Sequence, residues 1–243
     1  MIIQVENLNT ILNNRVIHKN LNFHVNEGEI YAIVGGSGSG KTVLLRELLS
    51  LIRPASGSIK ILGFDITKIN DSEISKNILS NIGVLFQAGG LISSLTVLQN
   101  VELPLREKTK LPRDIIRELS VFKLHLANYP TESINLYPSE LSGGMIKRAA
   151  LARAMILDPK ILFLDEPTSG LDPVSTAKFN ATIKKIRDLM GITVVMITHD
   201  LSTINSIVDR MLVILQGEKL GEGSVETIKK IAHPWIREYF QRS

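Results

Sequence analysis

The segment Gly35-Gly36-Ser37-Gly38-Ser39-Gly40-Lys41-Thr42 limits what this chain can fold into more than any other. So much glycine and serine cannot continue a strand or a helix, so the chain must turn here. The run Ile30-Tyr31-Ala32-Ile33-Val34 before it is apolar throughout and reads as a buried strand. The run Val43-Leu44-Leu45-Arg46-Glu47-Leu48-Leu49 after it reads as a helix. Strand, glycine-rich turn and helix in that order fit the spacing G-x-x-x-x-G-K-[ST], the P-loop. In such a turn backbone N–H groups face inward around phosphates, and the helix N-terminus adds its dipole. A lysine at the place of Lys41 reaches the β- and γ-phosphates, and a hydroxyl at Thr42 reaches Mg²⁺. Gly35, Gly36, Ser37, Gly38, Ser39, Gly40, Lys41, Thr42 and Val43 are therefore the candidate phosphate-binding residues, with Mg²⁺ as the expected metal.

Composition bounds the rest. With 243 residues, 44% hydrophobic but only 5% aromatic, the chain has to build its core from aliphatic side chains. It has no apolar run near the ~20 residues that a membrane-spanning helix needs. Its start, Met1-Ile2-Ile3-Gln4-Val5-Glu6, lacks the basic-then-apolar order of a secretory signal. It contains no cysteine, which excludes disulfides and thiolate metal sites. A cytoplasmic protein is the expectation. A net charge of +4 with acids and bases interspersed is too mild to argue for nucleic acid.

Along the chain, residues 2–7, 21–25, 29–34 and 58–62 read as short strands. Helical patterns dominate from about 87 to 158. Ile115, Leu119, Phe122 and Leu126 share one helix face, and Ser142 suits an N-cap for a helix that Asp158-Pro159 ends. Residues 83–86 before that stretch read as a strand, and strands return after it at 161–164, 193–197 and 211–215. Between the strands at 161–164 and 193–197, Asp172-Pro173 starts a helix, Phe179, Ile183, Ile186 and Met190 form its inner face, and Gly191 stops it. The alternation predicts an α/β fold with a mainly parallel sheet covered on both faces. Residues 225–243 read as helical with a break at Pro234-Trp235.

Ile161-Leu162-Phe163-Leu164-Asp165-Glu166 is an apolar strand ending in two acids, the Walker B pattern. Asp165 would hold Mg²⁺, and Glu166 would orient the attacking water as a general base. Leu141-Ser142-Gly143-Gly144-Met145 forms a second anion site at a helix N-terminus. It resembles the LSGGQ signature of ATP-binding cassette (ABC) ATPases.

That resemblance covers nearly the whole chain. It implies a single ABC ATPase domain: a nucleotide-binding core with an N-terminal antiparallel β-subdomain over 1–86 and 159–224, a helical subdomain over 87–158, and a tail over 225–243. It further implies that Gln87 is the Q-loop residue, touching Mg²⁺ or the water, and that Ser169-Gly170-Leu171-Asp172 is the D-loop. His199 is then the switch histidine on the γ-phosphate, and Ser142, Gly143 and Gly144 bind the ATP held by another copy of the chain. A homodimer with two shared ATP molecules is the expected working form.

Leu85-Phe86-Gln87-Ala88-Gly89-Gly90-Leu91, Asn100-Val101-Glu102-Leu103-Pro104-Leu105-Arg106-Glu107 and Pro138-Ser139-Glu140 before the signature resemble the Mla-type ATPases of phospholipid trafficking. For that group the expected partners are an MlaE-like permease, an MlaD-like substrate-binding protein and an MlaB-like small regulatory protein. The expected place is the cytoplasmic face of a Gram-negative inner membrane. An amino-acid importer or a solvent exporter is the alternative, and a cassette acting on ribosomes or DNA a remote one. The sequence departs from the family at Leu12, near which relatives carry an aromatic that stacks on adenine.

Overall fold

The computed structural model describes residues 1–69 and 78–241. In chain order the strands are β1 (Ile3–Leu12), β2 (Arg15–Val25), β3 (Ile30–Gly35), β4 (Ser56–Ile61), β5 (Phe64–Asp65), β6 (Ile82–Leu85), β7 (Ile161–Asp165), β8 (Thr193–Ile197), β9 (Arg210–Leu215) and β10 (Glu218–Ser224). The helices are α1 (Lys41–Leu48), α2 (Val97–Lys108), α3 (Arg113–Leu126), α4 (Gly143–Ala154), α5 (Pro173–Met190), α6 (Leu201–Ile207), α7 (Val225–Lys229) and α8 (Pro234–Gln241). They fall into two compact units, one of Met1–Ser80 with Val195–Ser243, the other of Asn81–Val194.

In the first unit β1 and β2 form an antiparallel hairpin, with Leu12 paired to Arg15. Its turn is Asn13-Asn14, with φ of 49° and 60°. Asparagine tolerates that left-handed region, and two such residues make the turn whose twist matches the strands. β4 pairs antiparallel with the other edge of β1, and β5 with β4, giving the order β2-β1-β4-β5. Ile3 and Val5 of β1 are buried with the period of two, and after an irregularity at Asn7, φ 49°, Leu8 and Thr10 take over the buried face. β3 runs parallel to β9, from Tyr31 opposite Arg210 to Gly35 opposite Ile214, and β10 lies antiparallel on β9. Every residue of β3 is buried, which explains its uninterrupted apolar sequence.

In the second unit β6 and β7 are parallel, from Ile82 opposite Ile161 to Leu85 opposite Leu164. Thr96 and Gln99 close a reciprocal capping box at the start of α2. The buried Asn100 ties down the loop before it: its Oδ1 accepts from Ile92 N at 2.7 Å and its amide donates to Ile92 O at 3.0 Å. Asp172 caps α5 by accepting from Val174 N and Ser175 N, both at 3.0 Å, and Gly191 at φ 63° ends it. Phe179, Ile183 and Ile186 form its buried face.

Two expectations need correction, and one strand carries no sequence signal. Ile115, Leu119 and Phe122 on α3 are 37%, 36% and 54% exposed, while Ile116, Ser120, Lys123 and Leu124 are buried. Periodicity marks a face as apolar; it does not say that this chain covers it. β10 was not anticipated, because Glu218-Lys219-Leu220-Gly221-Glu222-Gly223-Ser224 has neither apolar alternation nor β-branched residues. Its pairing is set by the Gln216-Gly217 turn, with φ of 51° and 81°. In the tail, Pro234 does not break a helix but begins α8, after residues 230–233 have left α7. Among the described residues no helix is long and apolar enough to cross a membrane.

Candidate nucleotide site

The phosphate loop joins β3 to α1. A Cβ on Gly35 would stand 2.3 Å from Ile214 O and 2.6 Å from Ser39 Oγ, so only glycine lets the loop leave the strand this close to β9. Gly40, at φ 97°, is the N-cap of α1 and supplies no side-chain acceptor. By contrast Thr96, Ser142, Asp172, Asp200 and Ser224 cap α2, α4, α5, α6 and α7 with their own oxygens. The first turn of α1 thus has no side-chain cap, an arrangement that suits an anion such as a triphosphate. Lys41 Nζ donates to Gly35 O at 2.8 Å and to Gly36 O at 2.9 Å, so the lysine lies back over the loop it follows. The Thr42 side of the helix start is exposed.

Gly35, Gly36 and Ser37 line a cleft of about 200 Å³ together with His199, Trp235, Glu238 and Tyr239. The fold therefore brings the candidate switch histidine to the rim of the phosphate loop. It also brings α8, which sequence reasoning did not connect with the site. Trp235 and Tyr239 stack with ring centroids 4.8 Å apart, and the Trp235 Nε1 lies 3.7 Å from where a Gly36 Cβ would be. The one available signal was three aromatics within six residues of an otherwise aromatic-poor chain.

The second unit holds the other candidates. Pairing of β6 with β7 sets Gln87, just beyond β6, beside the strand end that carries Asp165. Glu166 follows at φ 46°, a left-handed conformation that costs a residue with a Cβ about 1–2 kcal/mol. Lys147 on α4, which no motif singled out, lies only 5% exposed and donates from Nζ to Gln87 O at 2.5 Å and to Glu166 O at 3.1 Å. Burial holds its pKa below the ordinary lysine value, and the charges of Asp165 and Glu166 pull the other way. Ser142 caps α4 by accepting from Met145 N at 3.3 Å, and Ser142 and Gly143 are exposed.

Thr42 and Asp165 offer hard oxygens, the donor type Mg²⁺ prefers. Among the described residues no cluster of three or more His, Cys, Asp and Glu side chains could cage a metal. Oxygen donors of this kind suit an ion that keeps several waters and takes phosphate oxygens.

An uncapped helix behind a glycine-rich turn, its lysine, and a parallel strand ending in Asp-Glu define a P-loop nucleoside triphosphatase. The family model described as ABC transporter matches residues 18–169, and this chain belongs to that family. It is 38% identical over 227 residues to the intermembrane phospholipid transport system ATP-binding protein MlaF of Haemophilus influenzae, covering 93% of this chain and 85% of that one. It is also 38% identical over 216 residues to the methionine import ATP-binding protein MetN of Aliivibrio fischeri, covering 89% of this chain and 61% of that one. A dimeric ATP-binding cassette in a post-hydrolysis state bound to ADP and Pi superposes with a TM-score of 0.83 at 32% identity, over 92% of this chain and 98% of that one. A cassette of the cbiONQ transporter complex from Clostridium perfringens superposes with a TM-score of 0.84 at 29% identity, over 99% of this chain and 98% of that one. The α/β cassette fold and the ATPase activity expected from the motifs are thereby established.

Proposed function

We propose that this chain is the ATP-hydrolysing subunit of an Mla-type transporter, driving phospholipid trafficking from the cytoplasmic face of a Gram-negative inner membrane. The observation that carries the reading is the likeness to the Haemophilus MlaF protein along 93% of this chain. The segments around Gln87, Asn100 and Pro138 add to it. MetN, equally identical over 89% of the chain, supports the broader class of transport ATPase with a different cargo.

In this reading Lys41 and the N–H groups of residues 35–43 bind the ATP phosphates. Thr42, Asp165 and Gln87 hold Mg²⁺, which when bound neutralises phosphate charge. Glu166 takes a proton from the attacking water, and His199 steadies the γ-phosphate. Ser142, Gly143 and Gly144 act on the ATP of a second copy. One P-loop and one signature per chain support a homodimer, as does the dimeric form of the solved cassette relative. The exposed apolar stripe Ile115, Leu119 and Phe122 supports a membrane permease as the partner of the helical segment. An MlaE-like permease, an MlaD-like protein and an MlaB-like protein complete the assembly.

The test is affinity purification of the tagged full chain from membranes, with identification of the co-purifying proteins and lipid. Recovery with an MlaE-like permease and bound phospholipid is the expected result. Recovery with an amino-acid permease refutes the lipid reading and leaves the ATPase assignment intact.

A further inference from the structure

Beneath the phosphate loop lies a buried polar chain that the hydrolytic roles above leave unused. Thr10 on β1, His18 on β2 and Glu47 on α1 are 0%, 0% and 1% exposed. Thr10 Oγ1 donates to Glu47 Oε1 at 2.7 Å and lies 2.8 Å from His18 Nδ1. His18 Nδ1 also stands 3.3 Å from Glu47 Oε2. A hydroxyl has one proton, and here it goes to Glu47, so the contact with Thr10 places the imidazole proton on Nδ1. The ring is thus held from behind, with its other edge turned the opposite way. That edge, His18 Nε2, is buried and has no hydrogen-bond partner. It faces Gly40: a Cβ there would stand 2.4 Å from Nε2.

Gly40 is the residue on which the loop turns, at φ 97°, into the helix that starts with Lys41. Burying a histidine, a hydroxyl and a carboxyl together carries a desolvation cost that aliphatic side chains of the same volume avoid. Of these three groups the imidazole edge is the one nearest Gly40, and Glu47 sits on the helix the loop feeds. We infer that His18 is a positioning residue for nucleotide binding. Oriented by Thr10 and Glu47, its ring is the floor on which Gly40 turns, and it fixes the direction in which Lys41 and the first N–H groups of α1 meet the phosphates. The inference rests on the chain being a P-loop ATPase and is independent of the transported cargo.

The test uses the full chain with three variants. His18→Asn keeps an amide near Nδ1 for Thr10 and Glu47 but removes the edge under Gly40. His18→Gln returns a polar atom toward the Nε2 position. Thr10→Val keeps the ring and its volume and removes what orients it. The readouts are the Kd for Mg-ATP and for magnesium tripolyphosphate, which has no base, the KM and kcat of hydrolysis, and the thermal midpoint.

His18→Asn should weaken both ligands about tenfold and raise KM to match, with kcat within about twofold of wild type, because a misdirected loop loses binding common to ground and transition states. His18→Gln should recover part of the affinity, and Thr10→Val should fall between. Unchanged affinity in folded His18→Asn overturns the inference, as does a loss confined to ATP with tripolyphosphate unaffected. A fall in kcat at constant KM, tracking the thermal midpoint, also overturns it, since that marks loss of folded protein. Where His18→Asn does not fold, wild-type affinity in Thr10→Val is enough to reject the role.

Discussion

Lys147→Met tests how the two segments of the second unit proposed to act in hydrolysis are held together. The lysine stem is buried, and methionine fills nearly the same volume without the charge. The substitution removes two donations from one ammonium, to Gln87 O at 2.5 Å and Glu166 O at 3.1 Å. Hydrogen bonds from a charged donor are worth about 1.5–3 kcal/mol each, so the gross loss is about 3–6 kcal/mol. Relief of the buried charge offsets several kcal/mol of that, and the net change in stability should be about 1–2 kcal/mol or less. The larger effect falls on chemistry, because Glu166 is already in a left-handed conformation that its surroundings must enforce.

A displacement near 1 Å at a reacting group costs about 10²-fold, so kcat should drop about 10–100-fold. ATP affinity should stay within about threefold, since the phosphate loop is not touched. ATP turnover and equilibrium ATP binding on the same preparation decide the matter. Wild-type turnover in folded Lys147→Met, or a loss of ATP binding equal to the loss of rate, refutes the tether. The pH dependence gives a second check. Burial lowers the folded-state pKa of Lys147 below 10.5, so the unfolded chain binds more protons between those two values. Wild-type stability relative to Lys147→Met should therefore rise as pH climbs through the folded pKa toward 10.5, as read from denaturant midpoints.

Other outcomes follow from single residues. Glu166→Gln should keep ATP binding and cut turnover by about 10²-fold or more, measured by phosphate release; hydrolysis at the normal rate removes Glu166 from its role. Leu12→Tyr should tighten ATP about tenfold by supplying a stacking surface, and should sharpen preference over nucleotides with smaller bases; an unchanged Kd places the base elsewhere. Partial burial opposes ionisation of Asp200, yet the hydroxyls of Thr203 and Ser202 and their N–H groups hold its carboxyl below 3.8. Its stabilising effect is complete above that value and disappears as pH falls through the folded-state pKa. Asp200→Ala should cost about 0.5–2 kcal/mol at neutral pH, with the difference from wild type vanishing in acid.

What could be read from the sequence was what depends on near neighbours. The caps at Ser142 and Asp172 bond to N–H groups no more than three residues on, and Gly191 ends its helix by its own backbone conformation. The glycine-rich loop likewise carries its geometry in consecutive residues. Lys147, Trp235 and His18 stayed hidden for the opposite reason. Lys147 acts on a carbonyl sixty residues away in Gln87, and Trp235 reaches the loop from the far end of the chain. His18 carries no local signal, because the backbone it meets, at Gly40, comes from the next strand-to-helix turn. The open stripe on α3 was legible as a pattern and misleading as a location, because a face made for a partner has the same periodicity as a face made for the core.

The left-handed backbone at Glu166 separates two kinds of selection. A library randomised at this position and sorted for folding alone should enrich glycine and asparagine, which occupy that conformation at little cost. β-branched residues should disappear from it first. A second sort for ATP turnover should reverse the ranking and return glutamate, the less comfortable residue. The shift between the two sorts would read out the trade between ease of folding and catalysis as a change in amino-acid frequency at one site.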